Sequence, residues 1–516
     1  MKKLPIGIQT FEGLREDNFI YVDKTEFVYE IAEVRGSYFL SRPRRFGKSL
    51  FLNTLKSLFQ GKKGLFEGLW IYDKWNWSKT HPVVHFSFDK MDNKILEESI
   101  LNVIEDHAVQ FEVELSRNGI KNRFQELLEK VYEKHGGVVL LVDEYDKPII
   151  EFLEFEESGI YTKAIENQKI MKQFYAVLKA SEEYLRLTFI TGVSKFTQVS
   201  VFSDLNHLKD ISLKTQFANI VGYTQEELEN NFAAHLQKIQ ADNNTNYDAL
   251  LEKIKIWYNG FSWNAKNTLY NPFGILNFLE DGEFRNYWFL TGTPTFLLQQ
   301  MKKQNIFQVE NTRIDRMDIE SYDINNLAPI PLLFQTGYLT IKEIDTETGM
   351  FLLDYPNQEV RQSMYRFMID GLAPNPQRFS TTNTMLQVTK AFTANDLTTI
   401  RTIVSSLLAD LPYEVYDKQS EGLYHGLLHF IFSLLGVYIK SEVHSSRGRA
   451  DSVVETATHI YIFEFKFNKT AAEAMQQIKD KKYANKYQNV GKIIVGIGVN
   501  FKTDEKEING WEVETL

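Results

Sequence analysis

The sequence predicts an α/β protein of more than one domain: a parallel sheet flanked by helices, then a helical middle, then a second α/β module. Three observations predict it. The chain has 516 residues, more than a single hydrophobic core usually organises, so several domains of about 100 to 200 residues are expected. Up to about residue 205, short β-branched or aromatic runs alternate with helix-patterned stretches, the order that winds a parallel sheet between helices. Roughly the last hundred residues return to the same alternation.

Composition narrows the class. Hydrophobic residues make up 43% and charged residues 24%, the balance of a folded globular chain and not of a disordered one. There is no cysteine, which removes disulfides, thiolate zinc sites and cysteine nucleophiles together. Any metal must then sit on oxygen or histidine. The net charge of −10 argues against a surface coated for phosphate binding, so contact with nucleic acid would need a local basic groove. The opening Met1-Lys2-Lys3-Leu4-Pro5-Ile6 lacks the apolar stretch of a signal peptide, and no run of about 18 apolar residues follows. A cytoplasmic protein without a membrane span is expected.

Taken in order, the expected strands of the first module are 38–41, 83–88, 138–142 and 187–191. From about 222 to 310 the pattern turns helical and aromatic, opening where Thr224 can cap a helix and Glu227 can close a capping box. A hairpin is expected around 337–341 and 350–354, and 375–412 reads as a Thr-rich helical connection. The boundaries drawn from this are 1–210 for the first module, 211–375 for a lid and connecting region, and 376–516 for the last module.

The first chemical motif follows the first strand: Arg42-Pro43-Arg44-Arg45-Phe46-Gly47-Lys48-Ser49, leading into a helical run from Leu50. A phosphate-binding loop needs three things. They are a glycine whose backbone can approach phosphate, a lysine for the β and γ oxygens, and a hydroxyl for Mg2+ at a helix N-terminus. Gly47, Lys48 and Ser49 supply them, so Arg45, Phe46, Gly47, Lys48 and Ser49 are the expected ATP-binding segment. The first glycine of the usual G-x-x-x-x-G-K-[ST] pattern would fall at position 42, where this chain has Arg42.

A second segment, residues 136–144, is a continuous apolar strand ending in Asp143 and Glu144. At the same sheet edge Asp143 would hold the Mg2+ shell and Glu144 would polarise an attacking water. The run 187–195 reads as another strand, with Thr191 or Ser194 able to sense a γ-phosphate. Ordinary strand-end capping is the other reading of those hydroxyls.

Tyr21-Val22-Asp23-Lys24-Thr25, the R-P-R-R-F-G-K-S loop and Asp143-Glu144-Tyr145-Asp146-Lys147-Pro148 together resemble the AAA-ATPase-like family of bacterial proteins. The likeness implies an AAA-like P-loop NTPase core with a helical lid, and within that family Arg42 is no departure. Segments 257–261, 270–273 and 355–360 resemble the middle region of the same family, and no chemistry is carried over for them.

The C-terminal motif lies in 441–451 and continues through Ile462-Phe463-Glu464-Phe465-Lys466-Phe467. By period-two alternation Ile462, Glu464 and Lys466 share one strand face and Tyr461, Phe463, Phe465 and Phe467 the other. Asp451 heads a neighbouring strand, so its carboxylate can converge with that of Glu464 across paired strands. Two carboxylates and the Phe465 carbonyl suit a hard divalent ion, Mg2+ or Mn2+, and Lys466 would orient or deprotonate the attacking water. Charges that interrupt an aromatic strand are costly to bury unless paired or bound to metal. Glu421, on an upstream helix, stands where a further metal-site acid could sit. His425 and His444 read as packed or solvated histidines, because no spaced histidine pair accompanies them.

The order of helix, hairpin, E-x-K strand, helix and strand resembles the PD-(D/E)XK nuclease superfamily. By that likeness Asp451 and Glu464 are metal ligands, Lys466 is catalytic, Glu421 is accessory, and Gln477 with Tyr483 supports the site. The reading that follows is an ATP-binding and ATP-hydrolysing protein coupled to a metal-dependent nuclease acting on nucleic acid, with homo-oligomers open. The alternative is a nucleotide-dependent switch or scaffold whose C-terminal module only holds nucleic acid or a partner.

Overall fold

The computed structural model describes residues 1–153, 162–195, 207–289, 295–304, 306, 309–320, 328–372, 381–409, 452–488, 490–502, 505 and 507–516. The chain divides into two compact units. One comprises Met1–Leu297 and Glu310–Val360, the other Leu298–Val309 and Arg361–Leu516.

The first unit is built on five strands: β1 (Gly36–Ser41), β2 (Val83–Ser87), β3 (Val138–Asp143), β4 (Leu185–Gly192) and β5 (Leu208–Asp210). They form one sheet in the order β2-β3-β4-β1-β5, and every pairing is parallel. Each residue of β3 is buried, which is why this strand is a continuous apolar run and not an alternating one. The main core lies between the sheet and helices Leu96–Gln110, Ile120–His135 and Thr162–Ala180, where Phe124 stacks on Phe174 and Phe86 meets both edge to face. Helix Lys48–Phe59 sends Phe51 against Phe189 of β4, with ring centroids 5.5 Å apart. Strand β5 is short and was not among the expected strands.

Helices Gln225–Asp242, Tyr247–Tyr258 and Pro272–Asp281 follow in the same unit and share an apolar core with Ile20 and Val22. The first of them starts at the expected capping box. Thr224 Oγ1 accepts from the Glu227 backbone N–H at 3.1 Å, and the Glu227 carboxylate accepts from that of Thr224 at 2.8 Å. Glu227 also pairs with buried Lys24 at 2.6 Å, tying this helix to the N-terminal segment. A small antiparallel sheet of β6 (Thr312–Ile314), β7 (Thr340–Ile344) and β8 (Phe351–Asp354) contains the expected hairpin as β7 and β8.

The second unit holds helices Thr381–Thr393 and Leu397–Ala409 and a four-stranded sheet. Its strands are β9 (Ser452–Glu455), β10 (His459–Phe467), β11 (Ile493–Lys502) and β12 (Glu507–Thr515), in the order β12-β11-β10-β9. The central pair β10 and β11 is parallel and both outer pairings are antiparallel. Helix Ala471–Asp480 covers one face, packing Met475 and Ile478 on Ile460 and Ile462. The helix ends at Asp480, and a short 3-10 turn Tyr483–Tyr487 follows. Strand β12 was not anticipated. Among the described residues no helix is long and apolar enough to cross a membrane.

Candidate active site

The P-loop joins the C-terminal end of β1 to helix Lys48–Phe59. Arg45 and Gly47 both adopt positive φ, 67° and 95°, the left-handed region that glycine enters freely and arginine does not. Lys48 is buried at the head of the helix. Its Nζ donates to the carbonyls of Arg42 and Pro43 at 2.9 and 3.0 Å. Burial lowers its pKa, and the carboxylates of Glu144, Asp143 and Asp146 oppose that shift.

Arg42, at the position of the missing glycine, is fully buried. Its guanidinium donates to the carbonyls of Ser41, Ser212 and Phe217 and lies 4.0 Å from the Trp263 ring centroid. Burial brings its pKa down to about 9. Arg42 therefore braces the loop from behind and does not line the cavity in front of it.

The acidic strand end is fastened to its neighbour. Thr191 Oγ1 donates to Asp143 Oδ1 at 2.6 Å. Asp146 accepts from the backbone N–H groups of Val193 and Ser194 and from Ser194 Oγ, at 3.0, 2.6 and 2.7 Å. Tyr145 Oη donates to the Ser194 carbonyl at 2.8 Å. Both hydroxyls read as possible phosphate sensors thus hold the Asp143–Asp146 turn, and Thr191 does not line the cavity. Glu144 sits at positive φ, 52°. Burial and the neighbouring Asp89, Asp143 and Asp146 raise its pKa to about 7 against the pull of Lys48.

A cavity of about 290 Å3 opens in front of the loop. Its lining is mixed: Arg45, Gly47, Lys48, Ser49 and Glu144 bring charge and backbone, and Ile8, Val22, Val221, Tyr223, Phe273 and Leu276 bring apolar surface, with the Arg45 guanidinium 5.3 Å from the Phe273 ring centroid. Phe46 is buried and its backbone carbonyl accepts from Gly222. The lining residues from the N-terminus and from 220–223 were missed in the sequence reading, because a wall built from distant turns leaves no periodic signal. A second, polar cavity is lined by Ser49 and Asp143 together.

In the second unit, Glu464 is buried and Lys466 lies two residues on along β10. Lys466 Nζ donates to Glu464 Oε1 at 3.1 Å and to Gln477 Oε1 at 2.7 Å. Gln477 Nε2 closes the triangle by donating to Glu464. Glu464, Lys466 and Gln477 thus meet between β10 and the helix that covers it, while Tyr461 and Phe463 face Phe392 on the other side. Ser452 of β9 pairs with Phe463. Asp451, Glu421, His425 and His444 lie outside the described residues. Among the described residues no three His, Asp or Glu side chains gather to hold a metal.

A parallel sheet in this order, with a GKS loop after β1 and an acidic pair ending β3, is the AAA-like P-loop NTPase fold. Comparison with known proteins agrees. Residues 5–202 match the model of a predicted AAA-ATPase family and residues 419–511 that of the PD-(D/E)XK nuclease superfamily. A protein from Azotobacter chroococcum mcd 1, described as an uncharacterized protein in the vnfD 5' region, is 37% identical over 530 residues, covering 100% of this chain and 99% of its own. The chain belongs to the AAA-ATPase-like family, with a PD-(D/E)XK nuclease superfamily domain in its C-terminal part.

Two solved structures are distant likenesses. The Aeropyrum pernix Orc1 protein in complex with DNA is 10% identical, with TM-score 0.25 over 66% of this chain and 92% of its own. A signal transduction ATPase with numerous domains and a tetratricopeptide repeat sensor, from Pyrococcus horikoshii, is 12% identical, with TM-score 0.26 over 81% of this chain and 58% of its own. At such scores nothing about this chain follows from either.

Proposed function

We propose that the protein binds and hydrolyses ATP at the P-loop and cleaves phosphodiester bonds of nucleic acid in its C-terminal domain. The observation that carries the reading is a single cavity lined both by the loop, with Arg45, Gly47, Lys48 and Ser49, and by apolar side chains such as Phe273 and Leu276: cationic groups and backbone for phosphates, apolar surface for a base. Triphosphate oxygens would replace the carbonyls of Arg42 and Pro43 as acceptors for Lys48, and backbone N–H groups at the head of the helix favour anions there. Glu144, with its pKa near neutrality, is suited to accept a proton from an attacking water.

A divalent ion at the P-loop would take Ser49, which lines both cavities, and Asp143, which lines the second. Ser49 and Asp143 line one cavity, and Mg2+ commonly takes one or two protein oxygens and completes its shell with water and phosphate. Such an ion would neutralise charge developing on the phosphates. Around Glu464 the fit rests on chemistry: a buried carboxylate on an aromatic strand, held by a lysine and an amide, is a ready oxygen donor. Asp451 and Glu421 are proposed as its companions from their place in the sequence. Lys466, 19% exposed in its side chain and bonded to Glu464, would orient the attacking water. The cytoplasm as compartment and assembly into homo-oligomers remain part of the same proposal.

The test is nucleotide titration of the whole chain. Mg-ATP binding that is lost in Lys48→Ala supports the site, and unchanged affinity in that variant refutes the P-loop assignment. Wild-type Mn2+ affinity in an Asp451→Ala, Glu464→Ala double variant refutes the metal site.

A further inference from the structure

Segments 257–261, 270–273 and 355–360, matched in sequence without a chemical role, come together behind the P-loop. The carbonyl of Arg44 accepts from Asn271 Nδ2 at 3.2 Å and from Trp288 Nε1 at 3.1 Å. Both donors are themselves held. Asn271 Oδ1 caps helix Pro272–Asp281 by accepting from the N–H groups of Phe273 and Gly274. The backbone N–H of Trp288 donates to Glu359 Oε1 at 2.6 Å, and that of Phe289 bonds the same carboxylate.

Glu359 is 1% exposed, and glycine at 274 makes room for it, since a Cβ there would stand 3.2 Å from Glu359 Oε2. Gly260 has a stricter reason. Its φ is 115°, and a Cβ would fall 2.0 Å from the Pro356 carbonyl oxygen, so the two segments touch backbone to backbone.

A trans peptide is planar, with its C=O and N–H pointing in opposite directions. Pinning the Arg44 carbonyl towards Asn271 and Trp288 therefore turns the Arg45 N–H the other way, and it stabilises Arg45 in its left-handed conformation. The opposite peptide orientation would aim a carbonyl oxygen where phosphates are expected.

We propose that Asn271, Trp288 and Glu359 are positioning residues of the P-loop: two side-chain N–H groups fix the Arg44 carbonyl, and the buried Glu359 carboxyl group fixes the tryptophan. This rests on the reading of the cavity as an ATP site. Because the Trp288 indole bonds the loop directly, its emission reports nucleotide arrival.

The experiment measures, on the full chain, affinity for a fluorescent ATP analogue with Mg2+, intrinsic tryptophan emission during ATP titration, and the melting temperature without nucleotide. Trp288→Phe removes one donor and keeps the ring, and Asn271→Asp removes the other and keeps the helix cap. Each is expected to weaken ATP binding about 10-fold, from the loss of one partly buried hydrogen bond, with little change in melting temperature. The ATP-dependent emission change is reduced in Trp288→Phe, with Trp263, which lies against Arg42 and Phe46, supplying what is left. Glu359→Gln, which keeps an acceptor for the two N–H groups, recovers most of the affinity lost in Glu359→Ala. Wild-type affinity and emission response in both Trp288→Phe and Asn271→Asp overturns the clamp. Absence of ATP binding by the wild-type chain overturns the ATP site itself, and Lys48→Ala as control separates the two failures.

Discussion

Arg42 stands where an ordinary P-loop has its first glycine, and its side chain does something that motif does not describe. With its charge directed at three carbonyls and the Trp263 face, it serves the sheet edge and leaves the cavity lining to the residues after it. Glu144 carries the first pH prediction. A base with pKa near 7 is protonated in acid, so ATP turnover rises as pH increases through about 7. Glu144→Gln abolishes turnover while ATP binding persists, which a phosphate-release assay paired with titration checks. Glu359 carries the second. Burial raises its pKa to about 8, so between the ordinary carboxylate pKa and 8 the folded chain keeps a proton that the unfolded chain releases. Its contribution to stability is therefore full in acid and is lost as pH rises through that window, at up to about 1.4 kcal/mol per pH unit. Denaturant melts from pH 5 to 8 should flatten in Glu359→Gln relative to wild type.

At the scale of elements, the turn after β3 and the end of β4 behave as one piece. Gly192 permits it: a Cβ there would stand 2.4 Å from the Tyr145 ring and 2.8 Å from Asp146 Oδ1. Gly192→Ala is expected to cost on the order of 3 kcal/mol, read as a lowered denaturation midpoint. Thr224→Ala, which opens the capping box, should cost about 1 kcal/mol. The four long strands of the first sheet and this helix start were legible in sequence because apolar runs and capping residues are local signals. Strand β5 has only Leu208, Lys209 and Asp210, without buried alternation, and is a strand because β1 pairs with it. Strand β12 exposes most of its residues, so no hydrophobic pattern marked it. The Glu464 and Lys466 pair was legible from alternation, whereas Gln477 entered through family likeness, and its two bonds show what ties it to them. Gln477→Ala should lower nucleic-acid cleavage about 10-fold and leave ATP turnover intact.

For the whole molecule, the two units carry an AAA-ATPase-like domain and a PD-(D/E)XK superfamily domain, and charge alone would have directed attention elsewhere. A net charge of −10 describes the sum and says little about a local groove. The walls of the nucleotide cavity were the least legible part, since they come from turns far apart in the chain, joined only by folding. The most direct measurement is cleavage of mixed DNA and RNA substrates with Mg2+ or Mn2+, with and without ATP, in wild type, Lys48→Ala and Glu464→Ala. An ATP-coupled nuclease predicts cleavage that is lost in Glu464→Ala and responds to ATP only when Lys48 is present. Cleavage absent under every condition, with ATP still bound, would contradict it and leave a nucleotide-dependent scaffold.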